Sequence, residues 1–485
     1  MSQKKKKNHT WQLKSSYLEL PTVFYTRQNP VPVEKPATVF FNEKLARELG
    51  LDFLNDEKEI LHNYFSGNQI PDGATPLAQA YAGHQFGGFT MLGDGRAILL
   101  GEHIDPNGNR YDIQLKGSGQ TPYSRRGDGR ATLYSMIREY LISEAMHHLN
   151  IPTTRSLAVV ATGEKVYREE VNEGAVLTRI AKSHLRVGTY EYARAFGSVE
   201  DLKVLIDYAL ERHFPEKKNA DNPAIALFTA VMHEQIDLII NWLRVGFIHG
   251  VMNTDNMHIA GETIDYGPCA FMNAYDPKTV FSSIDRNGRY AFGNQQHIGH
   301  WNLTAFANAL LPAVAEDQEE AIKLAQKAVD GYPFKFNERY YAMMFAKLGV
   351  PNPNEEDRVL VDDLLAMMQT HKSDYTQTFL ALEENRELEG TLFSSEEFKV
   401  WKEKWENLRE DKDASTALMR KNNPRVIPRN HWVENALDEA VKGDLDPISE
   451  LLQVLSDPYG NHSDELKYQP IPEEFDSCYQ TFCGT

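Results

Sequence analysis

Cysteine is scarce: the 485 residues hold three, Cys269, Cys478 and Cys483. Three thiols build neither a disulfide framework nor a zinc knuckle, so a disulfide-stapled secreted scaffold is excluded and a reducing compartment is expected. Long apolar runs are also missing. None approaches the roughly 18 uninterrupted residues of a membrane span, so no membrane association is expected. Positive charge is in deficit. Lys and Arg total 51 against 69 Asp and Glu, a formal charge of −18. That balance argues against a bulk nucleic-acid binder while leaving room for a local basic cleft. Lys4–Lys7 is followed by no apolar segment, so it reads as a solvated tail rather than a secretory signal, and a cytoplasmic location is expected. Internal repeats and low-complexity tracts are absent too.

What is present is ordinary globular material. Hydrophobic residues make up 41%, ample for a core, and the length suits two lobes or two to three domains. Residues 1–75 are mixed and punctuated by Pro21, Pro30, Pro32 and Pro36, with a short helix closing at Gly50. FGGFTMLGDGRAILLGEHI (86–104) reads as two strands joined by a Gly-Asp-Gly turn, and RYDIQLKGSG (110–119) as a third strand ending near Lys116. A Gly- and Arg-rich loop follows. The periodicity of 133–149 predicts a helix. SLAVVAT (156–162) and GAVLTRIA (174–181) read as further strands. From about 195 the pattern becomes helical, including a long segment at 224–246. The fold class is therefore α+β, a β-rich first lobe followed by a mostly helical second one.

Four constellations carry chemistry. The turn Gly93–Arg96 can bring backbone N–H groups and a guanidinium to a phosphate, although such a turn is also an ordinary hairpin device. Lys116 at a strand end and Glu139 on the next helix stand in the order that lets a glutamate fix a phosphate-binding lysine in kinase-like folds. The stretch HGVMNTDNMHIAGETIDYG (249–267) holds Asp255 and Asp265 ten residues apart. In the kinase register His249 plus seven is Asn256, and Asp265-Tyr266-Gly267 stands for Asp-Phe-Gly. Position 251, where the catalytic Asp belongs, is Val, so Asp255 is the remaining carboxylate able to act as base or metal ligand. Finally Arg125, Arg126, Arg130, Arg179 and Arg186 concentrate positive charge in an acidic chain, which suits a polyanion.

AGHQFGGFTMLGDGRAILLGE, QLKGSGQTPYSRRGDGRA, HGVMNTDNM through IDYGP, and the terminal YQTFCGT resemble the selenoprotein O family across nearly the whole chain. The resemblance implies a protein-kinase-like two-lobed fold with additional C-terminal helices, a fold labelled pseudokinase because the usual catalytic Asp is missing. It implies a protein adenylyltransferase that binds ATP flipped relative to kinases and moves AMP to Ser, Thr or Tyr hydroxyls. It assigns Gly93, Gly95, Arg96, Lys116, Asp128, Gly129, Arg179, Arg186 and Asp265 to the nucleotide, Asp255 as proton acceptor, and Asn256 and Asp265 as ligands of Mg²⁺ or Mn²⁺. Glu139 matches the helix partner of Lys116.

The expected layout is an N-terminal extension at 1–75, a first lobe at 76–190, a second lobe with the metal-binding loop at 191–345, and a helical, Cys-containing region at 346–485. A monomer that binds protein substrates and no nucleic acid is expected. Where family members carry selenocysteine near the C-terminus, this chain has Cys483, and a redox bridge to Cys269 is an expectation. A phosphotransferase on the same fold, and a non-catalytic nucleotide binder suggested by Val251, are the alternatives.

Overall fold

The computed structural model describes residues 11–53, 58–388, 390–460, 465–470, 472, 475 and 479–482. A nine-stranded sheet forms the first lobe. Its main path runs Tyr25–Arg27, Leu77–Gln79, Ala97–Ile104, Arg110–Lys116, Val171–Ala181, Arg155–Tyr167 and Ala37–Phe41. Leu13–Lys14 adds to Ala97–Ile104, and Ala131–Thr132 adds to Val171–Ala181. Every pairing is antiparallel. The central strands are buried on both faces, and their buried positions include the polar Glu102, Asp112, Gln114 and Lys116 beside apolar side chains. Alternation sorts their side chains into two cores. Leu99, Val159 and Leu177 pack toward the Leu133–His148 helix. Ile98, Leu100, Ile113, Leu115 and Val176 pack with Leu45, Leu49 and Phe65 from the N-terminal segment.

The second lobe is built on the Pro223–Val245 helix. Asn222 caps it by accepting from Ile225 N–H, proline occupies its first position, and Gly246 ends it at φ +76°. By length and composition this helix could cross a membrane: an 18-residue window has mean hydropathy 1.3. Of that window 61% is buried inside the protein, where the helix packs on the Gln295–Val314 and Tyr332–Lys347 helices. The Trp242 indole N–H at its end donates to Thr263 Oγ1 at 2.9 Å. Next, Phe247–Ile248 pairs antiparallel with Ala270–Phe271, so the two ends of the 249–269 loop are tied together.

The remaining helices include Arg358–Thr370, Tyr375–Glu384, Glu396–Asn407, Lys412–Asn422, Asn430–Lys442 and Asp446–Leu455. The Asn430–Lys442 helix crosses back onto the first lobe. Its Glu434 accepts from Arg138 Nη1 at 2.8 Å and from the Tyr134 hydroxyl, both on the 133–148 helix. Tyr479 donates to the same carboxylate at 2.6 Å.

The expected hairpin around Gly93–Gly95 is corrected. Gly88–Met91 pairs with Ala82–Gln85, forming a separate two-stranded ribbon, and not with Ala97–Ile104. Phe86 and Gly87 both have positive φ, +50° and +84°, the tight turn whose twist matches paired strands. Gly93–Gly95 is a link between two sheets. Buried Asp94 fixes it by accepting from Gln79 N–H at 3.0 Å and from Gln114 Nε2 at 3.3 Å. The strands expected at 156–162 and 174–181 extend to Arg155–Tyr167 and Val171–Ala181.

Leu141 is fully buried in the 133–148 helix between the two lobes. Leu141→Ala is expected to lower stability by about 2–5 kcal/mol, transfer loss plus cavity. Denaturant unfolding that detects less than about 1 kcal/mol would contradict this packing.

Candidate active site

The cleft between the lobes is assembled around Glu139. Strand Arg110–Lys116 delivers Lys116 at its last position, opposite Leu177 of the neighbouring strand and Ala97 on the other side. Two positions earlier in that strand, Gln114 sits opposite Arg179. Both cations turn toward the 133–148 helix. Lys116 Nζ donates to Glu139 Oε2 at 2.6 Å, and Arg179 donates to Glu139 Oε1 from Nε at 2.9 Å and from Nη2 at 2.5 Å. Burial opposes the Glu139 charge, but Arg179 and Lys116 outweigh it and hold the carboxyl below its ordinary range. Lys116 also donates to Asp265 Oδ1 at 2.6 Å, which joins the sheet to the second-lobe loop.

Asp265 adopts φ +67°, a left-handed conformation uncommon outside glycine. Its side chain is 31% exposed to the cleft. Burial works against its ionisation, yet Lys116, Arg179 and Arg96 together keep it well below the usual carboxylate range. The loop that presents it is anchored by His249, whose Nε2–H donates to Ile264 O at 3.0 Å. His249 N–H donates to Gln295 Oε1 at 3.1 Å. The histidine of the kinase register is thus a loop anchor here.

The single-turn helix Thr254–Asn256 holds the other polar group. Asn256 Nδ2 donates to Val251 O at 3.0 Å, which orients the amide. Asp255 is 8% exposed, and its Oδ1 is buried without a hydrogen-bond partner among the described residues. Burial pushes this carboxyl up to about 6 against the pull of Arg186. Arg186 donates to the Asp255 backbone carbonyl at 3.1 Å and stacks on Tyr81, 4.2 Å from the ring centre. Gly83 of the ribbon lies so close that a Cβ there would be 2.3 Å from Asp255 Oδ1.

All eleven residues expected in the site line one cleft of about 490 Å³: Gly93, Gly95, Arg96, Lys116, Asp128, Gly129, Arg179, Arg186, Asp255, Asn256 and Asp265. Glu139 stands behind Lys116 in a smaller adjoining hollow. The arginine set divides. Arg125 lines the cleft and Arg126 does not. Arg130 lines it too, but its guanidinium is engaged with the Val31 and Pro32 carbonyls, each at 3.2 Å. Arg168 takes the place left to it. It grips Asp128 through two bonds of 2.8 and 3.0 Å and faces the cleft. Sequence reading missed Arg168 and Tyr81, which only the folded hairpin and the chain entering the ribbon bring there, and gave no role to Asp94 and Asn253, which lie inside the stretches it singled out.

The family model described as "Protein adenylyltransferase SelO" matches residues 7–456. The chain belongs to the SelO family. It is 55% identical over 480 residues to "Protein nucleotidyltransferase YdiU" of Brevibacillus brevis, covering 98% of each chain. Proteins of the same name from Halalkalibacterium halodurans and Geobacillus kaustophilus are each 54% identical, the first covering 98% of each chain and the second 98% of this chain and 99% of its own. ROP2 of Toxoplasma gondii, described as having a protein-kinase fold and no enzymatic activity, aligns with 68% of this chain and 86% of its own at 10% identity. Its TM-score of 0.23 is too low to bear on the fold.

In this SelO-family chain, no cluster of three or more His, Cys, Asp and Glu suited to a metal occurs among the described residues. Oxygen donors lining the cleft include the Asn256 amide and the Asp265 carboxylate, hard ligands of the kind Mg²⁺ takes. Cys269 is buried, and burial pushes its thiol up to about 12, so it is no nucleophile in this state. Its expected partner Cys483 lies outside the described residues.

Glu139→Ala is expected to strip Lys116 of one of its two carboxylates and to leave Arg179 only Gln114 Oε1 at 3.3 Å, at a cost of about 3–5 kcal/mol of stability. Nucleotide affinity should fall with it, because Lys116 loses its positioning partner. Calorimetric unfolding together with ATP titration measures both, and an unchanged unfolding midpoint would contradict the hub.

Proposed function

We propose that this chain transfers AMP from ATP to Ser, Thr or Tyr hydroxyls of proteins, releasing pyrophosphate. One observation carries the reading beyond family membership: with Val at position 251, the cleft is still lined by a carboxylate, Asp255, which makes no ion pair among the described residues. A carboxylate at the cleft wall is suited to accept a hydrogen bond from an incoming hydroxyl.

The roles follow from chemistry. Lys116, Arg96, Arg179, Arg186 and the Gly93–Gly95 link bind the triphosphate, with Arg168 holding Asp128 in position. Asn256 and Asp265 would hold Mg²⁺ or Mn²⁺, which neutralises charge growing on the phosphates during displacement. Asp255 receives the acceptor hydroxyl. Its raised proton affinity makes it a better base than a solvated aspartate while it remains ionised near neutral pH. The acceptor oxygen attacks the α-phosphorus, the bond to the bridging oxygen breaks, and pyrophosphate departs on the arginine side.

Incubation with ATP labelled at the α or γ phosphate tests the reading. Label reaching protein from the α position supports it. Label from the γ position would make the chain a phosphotransferase, and neither would make it a binding scaffold. Asp265→Ala is expected to lower AMP transfer by at least about 10²–10³-fold through loss of charge stabilisation. Asp255→Asn is expected to retain ATP binding while slowing transfer by about 10²–10⁴-fold. Near wild-type transfer by either variant would refute its role.

A further inference from the structure

The ribbon that covers Asp255 has a second face. Gln85 and Phe86 look into the cleft, whereas His84 and Phe89 line a separate groove of about 450 Å³ on the other side. Trp301 and Ala305 of the Gln295–Val314 helix form its opposite wall. The His84 ring meets Phe89 edge-on at 5.5 Å and Trp301 at 5.4 Å. The groove is coupled to the catalytic loop through its floor. Glu191 binds His84 Nδ1 at 2.5 Å and accepts from Thr254 Oγ1 at 2.5 Å, and Thr254 directly precedes Asp255.

Apolar surface continues from the groove to the cleft mouth. Phe86, Phe89, Met91, Ile284 and Trp301 are between 36% and 53% exposed, although each is a residue a folded protein ordinarily covers. Phe86 and Ile284 line the cleft itself. An acceptor hydroxyl that reaches Asp255 through this mouth must lay its flanking residues across this surface. Two cations border it. Arg289 stacks on Trp301 at 4.8 Å, and Arg194 lines the groove with no acidic partner among the described residues.

We propose that the His84–Phe89–Trp301 groove is the acceptor-docking site. It receives a large apolar side chain, aromatic or aliphatic, that lies within a few residues of the modified hydroxyl, while an acidic neighbour meets Arg194. This rests on the adenylyl-transfer reading and adds the class of acceptor segment. An apolar anchor buried in a pocket supplies most of the affinity of such contacts, and the rest of the surface supplies fit.

The test uses the full chain, α-labelled ATP, and peptide libraries with one fixed Ser, Thr or Tyr and every other position scanned. Wild type is expected to select Phe, Trp, Tyr or Leu at one fixed offset from the hydroxyl. Trp301→Ala removes a wall and Thr304→Trp fills the groove from an exposed helix position. Each should erase that selection and raise the peptide KM about tenfold or more, with the ATP KM unchanged. Because Thr304→Trp is a surface change, a folding defect in Trp301→Ala does not spoil the test. Transfer with a flat wild-type profile, or an unaltered peptide KM in the folded variants, overturns the groove and leaves the adenylyl-transfer reading intact. Absence of α-label transfer by wild type overturns that reading, and the docking site with it.

Discussion

The carboxylate of Glu139 is the contact on which the site depends. A buried charge is tolerable only when it is paired and its lone pairs are filled. Glu139 meets both conditions by gathering Lys116 from one strand and Arg179 from the next. The helix, two sheet strands and, through Lys116, the Asp265 loop are thereby fixed against one another. Two cations that line the cleft keep their aim through this pairing.

An acidic chain that binds a polyanion must place its positive charge selectively. Here the fold does so by contrast between sites. Arg96, Lys116, Arg179 and Arg186 converge on one cleft, while the excess acid is spread over exposed helices of the second lobe. Asp255 and Asp265 show how environment separates two like groups. Asp265 lies among cations and stays ionised far below its ordinary range. Asp255 lies ten positions earlier under a glycine ribbon, where burial dominates and its proton affinity rises. One is suited to a metal and the other to a proton.

Much of the site was legible because its residues lie close in sequence and in a fixed order. Lys116 followed by Glu139, and His249 in register with Asn256 and Asp265, needed only local spacing. The Gly-Asp-Gly segment misled for a local reason as well: two turn signals stood eight residues apart, and Phe86-Gly87 took the hairpin because its residues adopt the left-handed pair that a tight turn requires. Asp94, read as a turn residue, is instead a buried acceptor. Arg168 left no signal, since a hairpin over a separate strand pair carries it to Asp128. The groove beside the ribbon was equally hidden, because Phe89 and Trp301 lie more than two hundred residues apart and each looks like an ordinary core residue in isolation.

The grip of Glu434 on the 133–148 helix bears on how the protein can be controlled. In protein kinases the corresponding helix swings outward, parts the lysine from its glutamate and switches the enzyme off. Here such a swing would have to tear Arg138 from both Glu434 and the Cys269 carbonyl, and Tyr134 from Glu434. The helix is bolted to the far end of its own chain. Parting Lys116 from Glu139 by moving this helix would therefore cost these contacts as well as the ion pair itself.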